Sequence, residues 1–432
     1  MILYISNFEE ETEVRTEITP GVNLTVTPNK QFKTTRIAIA LIEPLDSKVL
    51  TKRMLLANVL EAASAHFPTQ KAVAEKLSKM YGAGFGITVE RRGNVHIMNC
   101  VFDSVNERYL ADEENLFDEA FAFLKQCLFA PLVFNDAFEQ ETFERQKKNL
   151  GFYMQSVKDD KQLYAALSLQ KNYFTDEAQR VPSFGTYEQL EKITSKELYD
   201  YYLECIAKDQ IEIVVSGNVD VKECETLARE LPFSKRNSFE GQLFYTQDLQ
   251  MEVNEENEHQ AVVQGKLDLA YNLPIFYREK GYYAALIFNG IFGGLPLSKL
   301  FMNVREKSSL AYYANSSYDS FRGFVSVQAG IQPKNKMAVQ EIITKQLEDI
   351  KNGEILQNEF QDTKKALKNS FLSRLDSPTN NLDQALINIL MKRNVSVQEW
   401  LQDLDAVSLD DVVEAAQKTK LQSIYFLDGE VN

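Results

Sequence analysis

Apolar positions in the first part of the chain recur with helical spacing. Leu50, Met54 and Val59 fall on one side of a helix with a period near 3.6 residues, so the pattern predicts a helix over LTKRMLLANVLEAAS. A second helix is predicted after Thr69, whose hydroxyl can cap its first turn, and Gly82 is a suitable stop. The pattern therefore predicts two consecutive helices before any strand of this region.

Runs of β-formers separated by glycine-containing turns predict strands in both parts of the chain. GFGITVER and VHIMNCVF flank Arg92-Gly93-Asn94, which favours a hairpin, and a similar hairpin is predicted around Arg322-Gly323. IEIVVSG, which ends at Gly217, and LQSIYFLDG, which ends at Gly429, are compact apolar strands. We expect one mixed helix-and-strand unit in each half of the chain.

The order of these elements indicates an internal duplication. FERQKKNL begins at Phe143 and FQDTKKAL at Phe360, and the paired hairpins and strand-ending glycines are spaced similarly, roughly 210–230 residues apart. The fold class predicted is α+β, with two homologous layered domains, each a mostly antiparallel sheet with helices on one side. The predicted boundaries are 1–233 and 246–432, joined by a polar linker over 234–245.

Composition limits the class of protein without naming it. A hydrophobic fraction of 44% over 432 residues is ordinary for a soluble globular protein, and no apolar run approaches the roughly 20 residues that span a bilayer. The first residues lack the pattern of a secretory signal, so we expect a cytoplasmic protein. The net charge of −15 opposes nucleic-acid binding. The cysteine spacing does not indicate a disulfide framework.

One block of the second half carries a specific resemblance. NGIFGGLPLSKLFMNVREKSSLAYYANSSY is similar to the second-domain signature of insulinase/pitrilysin-type zinc peptidases. In that family an arginine and a tyrosine seven residues later help to hold the substrate backbone, and the resemblance assigns these roles to Arg305 and Tyr312. Both side chains can donate hydrogen bonds to a peptide carbonyl. The alternative is structural, with Arg305 paired to a carboxylate and Tyr312 packed.

The first half lacks the zinc motif that the resemblance leads one to expect. Active members carry H-x-x-E-H on a helix, in which two histidines bind zinc and the glutamate is the general base. Counted back from Phe67-Pro68-Thr69, the three essential positions are Met54, Ala57 and Asn58. The later glutamate ligand is replaced by Phe152 or Tyr153.

The histidine content argues against a displaced zinc motif. The chain contains three histidines, His66, His96 and His259, which are too far apart in sequence to place two imidazoles one helical turn apart. We therefore predict no bound metal, no cofactor and no catalytic residue.

The resemblance implies a protein that works with others. Catalytic and non-catalytic chains of this family pair, so we expect a pseudopeptidase that binds a peptide or protein substrate and forms a heterodimer with an active zinc-peptidase paralogue, or a homodimer. Its non-proteolytic members in Gram-positive bacteria are linked to aminopentanol modification of elongation factor P. The alternative function is a structural scaffold subunit that binds no peptide.

Overall fold

The computed structural model describes residues 13–110 and 115–429. Its strands are β1 (Val14–Thr19), β2 (Val22–Pro28), β3 (Thr34–Pro44), β4 (Gly84–Arg92), β5 (Val95–Val105), β6 (Val133–Phe134), β7 (Ala137–Phe138), β8 (Gln210–Gly217), β9 (Asn254–Gln260), β10 (Gly265–Asn272), β11 (Ala311–Asp319), β12 (Phe324–Ile331) and β13 (Lys420–Gly429). No helix in this described part is both long and apolar enough to cross a membrane.

The helices are distributed between these strands along the chain. They are α1 (Leu50–Ala62), α2 (Gln70–Lys79), α3 (Leu116–Phe129), α4 (Gln140–Ser156), α5 (Lys161–Tyr173), α6 (Glu177–Arg180), α7 (Tyr187–Lys192), α8 (Ser195–Lys208), α9 (Val221–Arg229), α10 (Tyr282–Asn289), α11 (Lys336–Lys351), α12 (Gln357–Leu375), α13 (Pro378–Met391), α14 (Val397–Ala406) and α15 (Leu409–Gln417). Short π-helical turns occupy Gly290–Gly294 and Phe301–Lys307.

Two sheets form the centres of the two halves. The first has the strand order β1-β2-β8-β3-β5-β4 and the second β11-β12-β10-β13-β9. Most neighbouring strands are antiparallel, and the exceptions are β2 with β8 and β9 with β13. The predicted α+β class with two sheet-containing halves is confirmed. The domain boundaries stay a prediction, although residues 230–253, all of them described, contain neither helix nor strand.

Local sequence signals predicted several elements correctly. Thr69 accepts a hydrogen bond from the Ala72 backbone N–H at 3.1 Å and begins α2. Gly93 and Gly323 adopt positive φ values of 56° and 61° at the two hairpin turns, a conformation that glycine adopts without steric cost. The hairpins β4–β5 and β11–β12 were therefore predictable from their turns.

The first sheet is buried on both faces because its central strands are apolar on both sides. Along β3, Ile37, Ile39 and Leu41 point into the main core of the first half, whereas Ala40 and Ile42 point to the opposite face. On that opposite face lies α13, which belongs to the second half of the sequence. Its contacting residues share one side of the helix and are Leu382, Ala385, Leu386 and Ile389.

The second sheet is covered by a helix from the first half in the corresponding way. Helix α5 packs on β10 and β13 through Ala165, Leu169 and Tyr173, all of them buried. The Tyr173 ring stacks on Phe324 with 5.2 Å between ring centroids. Helices α5 and α13 follow the corresponding helices α4 and α12, so the two halves exchange equivalent helices. Each sheet therefore has helices on both faces, whereas we expected helices on one face only.

One strand was not predicted. The polar run NEENEHQ forms β9, and the next strand, β10, begins at Gly265. β9 pairs in parallel with β13, and its Glu256 and Glu258 accept hydrogen bonds from Asn172 and Tyr164 of α5. Tertiary pairing therefore decides the conformation of a segment whose own composition is poor in β-formers.

Candidate functional site

The helix that replaces the zinc-binding helix is packed into the core. On α1, Leu55, Leu56 and Ala57 are fully buried, and Met54 is partly buried against the same apolar cluster. Asn58 is half-buried. Of the three essential positions, Met54 and Asn58 replace the zinc ligands with a soft thioether and an amide that is a poor zinc ligand, and Ala57 replaces the general base with a methyl group. These side chains do not fit a catalytic zinc ion.

The same helix is anchored by a buried arginine. Arg53 lies at 2.7 Å from a carboxylate oxygen of Asp209 and 3.0 Å from one of Glu43, and it donates a 2.6 Å hydrogen bond to the Leu41 carbonyl oxygen. Burial raises the pKa of both carboxyl groups, and Arg53 opposes that rise. This cluster joins α1 to β3 and to the end of α8, and so fixes the position of the helix.

A glutamate that we did not single out lies one turn further along α1. The carboxylate of Glu61 accepts a 2.8 Å hydrogen bond from the backbone N–H of Ile87 on the edge strand β4. The segment Asn58–Ala62 has a glutamate at the fourth position, as H-x-x-E-H does, so it is an alternative register for the degenerate motif. A search for an acidic residue on the helix would have found it. In either register the histidine positions carry no imidazole.

The later helix also lacks a ligand. Phe152 and Tyr153 on α4 are 57% and 46% exposed. The Lys148 ammonium lies 5.5 Å from the centre of the Phe152 ring, and the Tyr153 ring contacts the Phe184 ring edge-on at 5.2 Å. Aromatic rings at these two positions cannot supply the carboxylate oxygen that the family uses.

The histidines do not form a site together. His96 is fully buried on β5, where its Nε2 lies 3.1 Å from the Ser183 carbonyl oxygen, and burial lowers its pKa to about 3. His66 is exposed, and His259 Nδ1 lies 3.3 Å from the Asp428 carboxylate. Across residues 13–110 and 115–429, no group of three or more His, Cys, Asp or Glu side chains is arranged to hold a metal ion.

Arg305 and Tyr312 lie together at the rim of one cavity. Arg305 is on the π-helical turn and Tyr312 is near the start of β11. They line a cavity of about 450 Å³, whose other lining residues also come from the second half and are Glu306, Ser309, Leu310, Ala311, Gln332 and Asn335. The structure therefore brings these two predicted residues together, whereas the cavity lining includes none of the α1 positions.

The contacts of the two side chains differ from each other. The Arg305 guanidinium lies 5.0 Å from the centre of the Phe301 ring, and its Nε is 3.6 Å from the Glu306 carboxylate. This pairing resembles the structural alternative for Arg305. Tyr312 is 63% exposed, so it is not packed as that alternative expected. An exposed phenol beside a guanidinium is chemically suited to hydrogen bonding with peptide carbonyl groups.

Comparison with known proteins identifies the family. The chain is 30% identical over 410 residues to the "Probable inactive metalloprotease YmfF" of Bacillus subtilis, covering 95% of this chain and 96% of that protein. Residues 192–367 match the family described as "Peptidase M16 inactive domain". The chain belongs to the M16 family, the insulinase/pitrilysin-type peptidases. The predicted family resemblance is confirmed, and the matched family and this relative are both described as inactive.

Other proteins are similar to this chain in sequence or in fold. The "Non-peptidase homolog YmxG" of Helicobacter pylori is 25% identical, with 64% of this chain and 67% of that protein covered. A crystal structure of a conserved protein from Enterococcus faecalis V583 has a TM-score of 0.93 and 41% identity, covering 97% and 99% of the two chains. The peptidase M16 inactive domain from Pseudomonas fluorescens, with 16% identity, 97% and 98% coverage and a TM-score of 0.80, shares the fold.

Proposed function

We propose that this chain is the non-catalytic subunit of an M16-type peptidase complex, which binds peptide or protein substrate and pairs with an active zinc-peptidase paralogue. One observation supports this proposal above the others. The candidate substrate-binding pair Arg305 and Tyr312 lines an open cavity, although the helix α1 has lost both histidine ligands. A chain that keeps the binding groups but lacks the catalytic groups is suited to hold a substrate for another chain to cleave. We also propose a cytoplasmic location.

The chemistry of the cavity suits an extended backbone. The guanidinium group presents several N–H donors and the phenol presents one O–H donor, and both groups suit acceptors such as peptide carbonyl oxygens. The Arg305–Glu306 contact of 3.6 Å is loose and lies near the surface. A surface ion pair of this kind is worth at most about 1 kcal/mol, so a bound peptide can replace it at little cost. The link to elongation factor P modification stays a prediction.

The decisive experiment uses the zinc-bearing homologue from the same cell. The two chains are co-expressed and purified, and hydrolysis of a quenched fluorescent peptide is measured with wild type, Arg305→Ala or Tyr312→Phe. Each variant removes donors to the peptide, so we expect partner-dependent hydrolysis to fall by about tenfold or more, equivalent to about 1.4 kcal/mol. Assembly, measured by size-exclusion chromatography, should be unchanged.

Matched controls are available on the same chain. Arg393 forms a similar surface pair with Glu399 at 2.7 Å, and Tyr109 is 48% exposed in the first half. Arg393→Ala and Tyr109→Phe should leave hydrolysis at the wild-type rate. Unchanged hydrolysis in the Arg305→Ala and Tyr312→Phe variants, with intact assembly, would favour the scaffold function and contradict substrate binding by this chain.

A further inference from the structure

The two sheets share one plan and differ at one edge. In the first half β2 lies parallel to β8, and in the second half β9 lies parallel to β13. β1 then adds to the outer side of β2 in antiparallel orientation. Among the described residues, β9 has no strand on its outer side. The second sheet therefore ends at the position where the first sheet continues by one more strand.

The open edge is exposed along its whole length. Four of the seven residues of β2 are buried, whereas all seven residues of β9 are exposed or half-buried. In a parallel pair each strand uses every second residue to bond its neighbour, so the remaining backbone N–H and C=O groups of β9 face outward. Such an edge is a template for another extended segment.

The charge along this edge is acidic. β9 carries Glu255, Glu256 and Glu258, and the sequence contains no lysine or arginine between positions 237 and 265. Lys336 contacts Glu255 at 2.8 Å, whereas Glu256 accepts a hydrogen bond from the neutral amide of Asn172. A strand that adds here would meet carboxylates, so positively charged side chains suit it best.

The first half shows how such a strand is held. Arg15 on β1 reaches across β2, donates a 2.8 Å hydrogen bond to the Thr25 hydroxyl and lies 2.9 Å from a carboxylate oxygen of the buried Glu212. β9 carries an acceptor on the edge strand itself, Glu258, which is bound by the hydroxyl groups of Tyr164 and Tyr425. A basic side chain on an added strand would meet this carboxylate on the neighbouring strand, whereas Arg15 reaches across β2 to Glu212 on β8.

Exposed apolar side chains flank the acidic strand at both ends. Met251 is fully exposed, Val253 is 43% exposed and Val263 is 89% exposed. They would be covered by an extended segment somewhat longer than β9. A second copy of this chain is a poor occupant, because pairing β9 with β9 would bring the three glutamates of each copy together, and like charges on facing strands are destabilising.

We propose that the outer edge of β9 binds a basic, extended segment of a partner protein, which adds to the second sheet as an antiparallel strand. Backbone hydrogen bonds supply the affinity and the glutamates select lysine and arginine side chains. The site is separate from the cavity at Arg305 and Tyr312, so it does not depend on the proposed peptidase-complex function.

The test uses three synthetic nine-residue peptides and the full chain. The first alternates lysine with valine or threonine, the second is the same peptide with every backbone nitrogen methylated, and the third carries glutamate in place of lysine. Binding is followed by fluorescence anisotropy. We expect the first peptide alone to bind, because methylation removes every backbone donor and glutamate reverses the charge.

Two charge-matched variants locate the site. Glu256→Lys should weaken binding of the first peptide by about tenfold or more, while Glu75→Lys on the exposed surface of α2 should leave it unchanged. Thermal unfolding of both variants checks that the fold is retained.

Four results would overturn the proposal. They are no binding of the first peptide, equal binding of the methylated peptide, equal weakening by the two variants, and a concentration-dependent dimer lost in Glu256→Lys. The last result would assign the edge to a second copy of the chain.

Discussion

The exchange of α5 and α13 makes a sharp prediction about stability. Leu386 lies on α13 in the second half of the sequence and is 2% exposed, packed against Ala40, Ile42 and Ile97 of the first sheet. Leu386→Ala removes this contact and leaves a cavity at the interface between the halves. Buried leucine-to-alanine changes cost about 2–5 kcal/mol. The strands of the first half should therefore lose stability as well.

Native-state hydrogen exchange measures this coupling segment by segment. A loss of 2–5 kcal/mol corresponds to exchange that is about 30- to 5,000-fold faster wherever exchange depends on the destabilised packing. We expect this acceleration in α13 and in β3 and β5. The matched control is Leu404→Ala, because Leu404 is equally buried but belongs to the core of the second half alone.

The control should leave the first sheet less affected than Leu386→Ala does. The reasoning is refuted if Leu386→Ala accelerates exchange in α13 while β3 and β5 keep their wild-type rates. That result would mean that α13 rests on the first sheet without stabilising it.

Two buried charges give further predictions, measured by urea unfolding at pH 5 and pH 8. Arg53→Met leaves Glu43 and Asp209 buried without their cation and should lower the free energy of unfolding by about 3–5 kcal/mol. The loss should be larger at pH 8, because both carboxyl groups must ionise there. An equal loss at both pH values would contradict this. Burial raises the pKa of Asp268 from 3.8 to about 7, so the folded chain binds the extra proton and loses stability as pH rises from about 4 to 7. Asp268→Asn should remove this pH dependence and stabilise the chain at pH 8 by up to a few kcal/mol, and an unchanged slope would show that Asp268 is not its source.

The sequence predicted those parts of the fold that local chemistry decides. The hairpins are set by Gly93 and Gly323, and α2 by the Thr69 cap, each of which acts within a few residues. Helices α5 and α13 each bury one side, but apolar spacing along a helix does not indicate which sheet that side covers. Their exchange depends on contacts between distant parts of the chain, and so does the strand conformation of β9.

The sequence predicted that the zinc motif is absent, but it did not decide which five residues of α1 correspond to that motif. The shortage of histidines excludes the family's zinc motif at any position on α1, so this conclusion does not depend on the alignment. The choice between Met54–Asn58 and Asn58–Ala62 does depend on it, and the Glu61 contact with Ile87 appears only in three dimensions. The contacts of Arg305 and the lining of the cavity that it shares with Tyr312 lie within the second half and do not include α1. The substrate-binding roles of both residues therefore stay predictions.

Zinc content measured together with peptide hydrolysis tests the central claim most directly. The purified chain is incubated with zinc, freed of unbound metal, and analysed for metal and for cleavage of unfolded peptides. Because the α1 positions offer no imidazole, we predict well below one zinc ion per chain and no hydrolysis above background. One zinc ion per chain, together with cleavage that a chelator abolishes, would contradict the account.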